Sequence, residues 1–202
     1  MNKPFTSILV ALAFMAMLPG CKKDTNNTNT GNNGPCTDGS ANYPFLANGH
    51  REAYYMTDLF GDVDTQTVIY GAEANGKYPV YVSFAQNILG TGNYTSYNWA
   101  CGEDFYEDTT PSSKINYYFS LNANVGSTWV IAYPGDTSYY QLLSKNATVT
   151  TINLGQTFTN CYEFTWYGEG DINVDTIYFT PSEGQVYYNG LLLNEELISK
   201  NF

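Results

Sequence analysis

From Tyr43 onward the apolar residues come in short runs or alternate with polar ones, and Gly, Asn or Pro punctuates them every eight to twelve residues or so. Successive side chains of a strand face opposite ways, so this spacing predicts many short β-strands joined by turns. Gln156 to Tyr167 shows it best. Phe158, Tyr162, Phe164 and Trp166 fall on one parity and Thr159, Cys161, Glu163 and Thr165 on the other, the period of a half-buried strand. Further strands are expected at Thr67–Tyr70, Tyr78–Phe84, Ile115–Leu121, Ser127–Tyr133, Tyr139–Leu143, Asp175–Phe179 and Gln185–Tyr188, which are rich in Tyr, Thr, Val and Phe. Only Leu191 to Ser199 offers helical spacing, with Leu193 and Leu197 four apart, and a last strand fits it equally. The fold class expected is all-β.

The N-terminus has a different pattern. Lys3 precedes an eleven-residue apolar run, Ile8 to Leu18, which is too short to span a bilayer. It ends in Leu18-Pro19-Gly20-Cys21. This order resembles the lipobox of bacterial lipoproteins. The resemblance implies that residues 1–20 are a signal peptide and that Cys21 is acylated as the first residue of the mature chain. Lys22-Lys23-Asp24 follows, with Asp at the third residue after Cys21 rather than the second. By resemblance to Gram-negative lipoproteins this implies the outer membrane, with either the periplasmic or the cell-surface face open. Residues 21–41 are dominated by Asn, Thr and Gly and read as a flexible tether with little to bury. Residues 42–202 are then the β domain.

Within that domain two stretches look alike. Tyr43, Phe45, Leu46, Gly49 and Tyr54 match Tyr118, Phe119, Leu121, Gly126 and Tyr133, which puts His50 opposite Ser127. Gly76, with the strand after it, matches Gly155, and Gly102, followed by Phe105 and Tyr106, matches Gly184, followed by Tyr187 and Tyr188. Two tandem β repeats, 43–110 and 117–190, are expected. The second copy, with Tyr118-Phe119-Ser120-Leu121, Gly126-Ser127-Thr128-Trp129 and Tyr178-Phe179…Gly184-Gln185-Val186, resembles modules of bacterial lipoproteins that have no settled activity. Ser120 and Gln185 depart from the Pro and the hydrophobe usual there. The resemblance implies a strongly curved antiparallel sheet or open barrel, lipocalin-like or like the lipoprotein carriers. A β-sandwich is the alternative. No catalytic residue comes with it.

Charge narrows the partners. Residues 36–202 hold five basic side chains (Arg51, Lys77, Lys114, Lys145, Lys200) and 18 acidic ones, a charge of −13 against −11 for the whole chain. Such a domain repels phosphate backbones, so nucleic acid is excluded as a partner. The membrane is met through the lipid.

Candidate chemistry is sparse. His50 is the single imidazole and reads as a surface or loop residue rather than a catalytic base. There is no Gly-x-Ser-x-Gly elbow. Carboxylates cluster at Asp58/Asp62/Asp64, Glu103/Asp104/Glu107/Asp108 and Glu169/Asp171/Asp175. Two of them could serve glycoside hydrolysis or hold calcium, but solvated loop charge is the simpler reading. Asp171 to Asp175 begins like a calcium loop, yet Thr176 replaces its Gly. No metal site and no cofactor is expected. Cys36 and Cys101 are the candidate disulfide, leaving Cys161. The excess of Tyr, 19 residues, offers Tyr54, Tyr97, Trp99, Tyr139 and Tyr187 as a surface for a glycan or protein ligand, with cross-strand pairing within the sheet as the simpler reading. Together these features predict a lipid-anchored binding or accessory module rather than an enzyme. The alternatives are a carrier with an apolar β cavity and a carboxylate-based glycoside hydrolase.

Overall fold

A computed structural model describes residues 36–86, 90, 92–108, 116–133, 136–168 and 174–201. The lipobox, Cys21, most of the tether and Asp171 lie outside the described residues. One short 3-10 turn, Ser40–Asn42, precedes twelve strands. These are β1 (Arg51–Asp58), β2 (Val63–Tyr70), β3 (Tyr78–Phe84), β4 (Tyr94–Cys101), β5 (Asp104–Asp108) and β6 (Asn116–Ser120). The second half contributes β7 (Thr128–Tyr133), β8 (Asp136–Thr150), β9 (Thr157–Gly168), β10 (Asp175–Thr180), β11 (Gly184–Asn189) and β12 (Leu193–Asn201). Every segment expected to be a strand lies in or overlaps one. The undecided stretch from Leu191 to Ser199 is strand β12, whose Leu197 pairs with Tyr54.

All twelve strands belong to one antiparallel sheet, in the order β6-β5-β4-β3-β2-β1-β12-β11-β10-β9-β8-β7. The sandwich alternative is therefore not what forms. The chain runs as two meanders joined by the pairing of its first strand with its last, so the free edges are β6 and β7, from mid-sequence. That connectivity forces curvature. Eleven steps of about 4.8 Å would set the edges of a flat sheet about 53 Å apart. The chain from Ser120 to Thr128 spans at most about 29 Å. Packing agrees, since Phe105 on β5 and Phe179 on β10 are seven strands apart in the sheet, yet their rings lie 5.9 Å apart. The sheet is curled around its core but not closed.

The N-terminal segment fills the curl. Tyr43 and Phe45 are fully buried, and the Phe45 ring meets Tyr70, Phe105 and Phe179 at 5.6–5.8 Å. Residues 36–41, assigned above to the tether, are instead tied to the β4–β5 turn. A Cys36–Cys101 disulfide, with Cα atoms 5.3 Å apart, joins backbone bonds from Gly102 N to Thr37 O and from Gly39 N to Ala100 O. Gly39 lies so close to Gly102 that a Cβ on it would overlap the Gly102 carbonyl. The ordered domain thus begins by Cys36.

The entries to β1 and β7 share their hydrogen bonds. Leu46 N donates to Tyr43 O and Ala123 N to Ser120 O; His50 N donates to Ala47 O and Ser127 N to Asn124 O. Gly49 N meets Tyr70 O, and Gly126 N meets Leu142 O. Both glycines have left-handed φ, 81° and 90°, where a side chain would be strained.

The alternation expected for β9 fails in its first half. Cys161, placed on the polar face, is fully buried. The β8–β9 register shifts three times between Leu142 and Val149, and Asn160 takes a left-handed φ of 56°. Each irregularity resets which face a residue meets. The tip of this hairpin reaches β12, where the buried Glu196 accepts bonds from Asn153 N, Asn153 Nδ2 and Leu154 N at 2.7–2.8 Å.

Candidate functional site

The strand register assembles a cavity on the inner face. On β1, Glu52 and Tyr54 share a parity; Glu52 pairs with Val68 and Tyr54 with Gln66. Val68 pairs with Val82 and Tyr70 with Val80 on β3. Those in turn pair with Tyr94 and Ser96 on β4, and Asn98 pairs with Glu107 on β5. From the other side Met56 pairs with Glu195 of β12. Because side chains on directly paired residues lie on the same face of a sheet, these positions converge. They line an open cavity of about 230 Å³.

Its polar wall is Glu52, Gln66, Ser96, Asn98, Glu107 and Glu195, with Gln185 beside them. Its apolar wall is mainly aromatic: Phe45, Tyr70, Tyr94, Phe105 and Phe179. Among the described residues no Lys or Arg lines it. Glu52 is 2% exposed. Its Oε1 lies 2.9 Å from His50 Nε2, and Tyr54 Oη donates to its Oε2 at 2.8 Å and to Gln185 O at 2.8 Å. Gly184 passes so near that a Cβ there would lie 3.1 Å from Glu52 Oε1. His50 lies in the turn before β1, as expected, but the surface reading is corrected: its side chain is fully buried. Pairing with a buried carboxylate explains how an imidazole is accommodated there.

Glu195 is partly accessible through the cavity and accepts one bond, from Gln185 Nε2 at 2.8 Å. Burial raises its pKa to about 6, with the Gln185 bond acting in the opposite direction. Tyr94 is pushed up by burial and then by Glu107 and Glu195, which places all three groups within electrostatic reach. Asn98 is 7% exposed. Its Nδ2 lies 3.5 Å from Tyr70 Oη, whereas its Oδ1 has no partner among the described residues. A buried acceptor left unpaired costs about 1–3 kcal/mol.

The tyrosines and tryptophan expected to form a ligand surface are not gathered on one. Tyr54, Trp99 and Tyr187 are buried, and only Tyr54 reaches the cavity. Trp99 stacks on Tyr106 with the Lys77 ammonium 4.0 Å from its ring. Tyr139 stacks on Tyr167, and Tyr97 is half-buried on the side of β4 away from the cavity. Tyr187 stacks on Tyr178, so cross-strand stacking engages Trp99, Tyr139 and Tyr187.

Asp58, Asp64 and Asp175 of the acidic clusters accept hydrogen bonds, whereas Glu107, expected to be solvated loop charge, lines the cavity. Asp58 Oδ1 accepts from Phe60 N and Asp62 N, and Asp64 Oδ1 from Thr65 N and Gln86 N. Asp175 accepts from Tyr188 Oη and Leu191 N. Among the described residues no three ligating side chains gather for a metal. Cys161 is free and buried, and burial raises its thiol pKa to about 11, an unreactive state.

The sequence reading missed Glu52, Gln66, Asn98 and Glu195. The signal was present as polar residues on an apolar parity: Glu52-x-Tyr54-x-Met56 and Ser96-x-Asn98-x-Ala100. No protein-family model matches the chain, and no curated protein matches it in sequence.

Proposed function

We propose that the protein is a lipid-anchored binding module of the outer membrane that holds a small polar ligand inside its curled sheet, without catalysis. The anchor reading rests on Ile8 to Leu18 and Leu18-Pro19-Gly20-Cys21. The ligand reading rests on one observation, the unpartnered Asn98 Oδ1 buried in a cavity walled by carboxylates and aromatic rings. Folding bears that cost where a ligand supplies the missing donor. The matching turns at 43–50 and 120–127 support descent from two tandem copies, in a register that keeps Gly49 with Gly126 and His50 with Ser127 but sets Tyr43 against Ser120 and Leu46 against Ala123 rather than Tyr118 and Leu121. The apolar-carrier alternative gains nothing from a cavity with three glutamates. The glycan reading survives in reduced form, as a terminal sugar rather than an extended chain on a tyrosine surface.

Thermal unfolding of the full chain in detergent, screened against small sugars, amines and polyols, tests this. A ligand at a hundred times its Kd stabilises by about 2.7 kcal/mol, and Asn98→Leu is expected to abolish that gain. No stabilising compound, or one indifferent to Asn98→Leu, counts against it. Acylation is checked by the mass of the mature N-terminal peptide, where an unmodified Cys21 sinks the anchor.

Glu195 also favours a second reading, the hydrolase. A carboxyl with a pKa of about 6 near two others resembles a general acid. Turnover of aryl glycosides that is lost in Glu195→Gln would establish it over binding alone.

A further inference from the structure

The chemistry of the cavity wall is more specific than general polarity, and a ligand class deduced from it rests on the reading of the cavity as a ligand site. Three carboxyl groups reach it from three strands: Glu52 from β1, Glu107 from β5 and Glu195 from β12. Glu52 is matched by His50 Nε2 and Tyr54 Oη. Among the described residues Glu195 accepts a hydrogen bond from one neutral partner, the Gln185 amide. No Lys or Arg lines the space among the described residues. An anion is therefore excluded by repulsion, and a donor-rich ligand is favoured. Asn98 Oδ1 adds the same demand, since among the described residues it is an acceptor without a donor.

We propose that the cavity binds a small organic ammonium, whose N–H groups are received by Glu195, Glu107 and Asn98 Oδ1 while its carbon chain lies against Phe45, Phe105 and Phe179. An ammonium carries three donors and no acceptor, the complement of this wall. Aromatic faces attract the cation as well as its alkyl stem. A divalent metal fits less well, because no three ligating side chains gather among the described residues. Size sets the scale: about 230 Å³ is smaller than the roughly 300–1,000 Å³ of drug-sized sites. The ligand is a short amine, or the amine end of a longer molecule.

Calorimetric titration of the full chain in detergent with 1,4-diaminobutane, 1,4-butanediol and glucose tests it, at pH 8 and pH 5. The diamine is a dication at both values. Binding of the diamine but not of the diol is expected at pH 8. At pH 5 it should weaken about tenfold as Glu195 takes up its proton. The groups facing Glu195 are Glu52 and Tyr54 of β1, Gln185 and Tyr188 of β11, Tyr94 of β4 and Glu107 of β5. None of the tyrosines or the amide titrates between those pH values. Glu195→Gln and, separately, Glu107→Gln should each lower the diamine affinity about tenfold at pH 8, with an unchanged far-ultraviolet spectrum showing that the variants fold. Diol or glucose binding as tightly as diamine overturns the ammonium inference and leaves the cavity reading standing. Diamine binding untouched by both variants places it elsewhere and overturns the inference. No binding of any of the three compounds overturns the inference and the cavity reading together.

Discussion

Glu195 and Glu196 are neighbours on one strand and face opposite sides of it, and their surroundings treat the charge in opposite ways. Glu196 is sealed from solvent, yet three N–H groups of the β8–β9 tip point at its oxygens. Its charge is stabilised by donors that would otherwise be unpaired. Glu195 receives a single amide bond, and burial prevails, taking its pKa from 4.5 to about 6. The stability this group contributes is complete below pH 4.5 and is lost as the pH rises through about 6. At neutral pH the folded state then carries a penalty on the order of 2 kcal/mol. Glu195→Gln is accordingly expected to raise the midpoint of thermal unfolding by several degrees at pH 7.5, with the gap closing by pH 4. Scanning calorimetry at the two pH values checks this. A variant less stable at both would mean that Glu195 serves the fold rather than a ligand. A destabilising carboxylate kept in a cavity is the usual mark of a group retained for binding.

At the scale of elements, the sequence was most legible where one face of a strand is apolar throughout. Tyr78–Phe84 and Ser127–Tyr133 were expected from their alternation, and β3 and β7 lie there. Three of the strands that build the cavity were not expected: β1, β4 and β5. Their inner faces interleave Glu52 with Tyr54, Ser96 with Asn98, and Phe105 with Glu107. A polar side chain on the inward parity breaks the alternation that marks a strand, so the site and the missed strands have one cause. Bulges hid more. Between Leu142 and Val149 the register shifts three times, and no count of parity along β8 or β9 carries through such a shift. The long-range contacts were beyond reach for another reason. That Glu195 faces Tyr94 depends on the pairing of β1 with β12, which joins residues some 140 positions apart in the chain.

The same pairing determines how the whole molecule holds together. A meander whose ends pair is tied at β1–β12 and open at β6–β7, so the two halves could separate along the open side. Two features oppose that. Phe45 packs against Tyr70 and Phe105 from the first half and Phe179 from the second. Lys145 Nζ of β8 donates to Leu121 O at 2.8 Å, holding the β6–β7 connection against the second half. The segment carrying Phe45 is itself fixed by the Cys36–Cys101 disulfide, which closes a loop of 65 residues. Loop-closure entropy puts such a cross-link at about 4 kcal/mol, and measured losses for comparable bonds run about 2–5 kcal/mol. Reduction, or Cys101→Ser, is expected to lower unfolding stability by that amount without dividing the transition. Single-tryptophan variants retaining Trp99 in the first half or Trp129 in the second give the measurement. If Phe45 makes one core of two meanders, both probes move to lower denaturant together once the bond is gone. If the Trp99 signal shifts while Trp129 stays, the second meander folds independently of the segment that carries Phe45, and the curl is a contact between two units rather than one cooperative sheet.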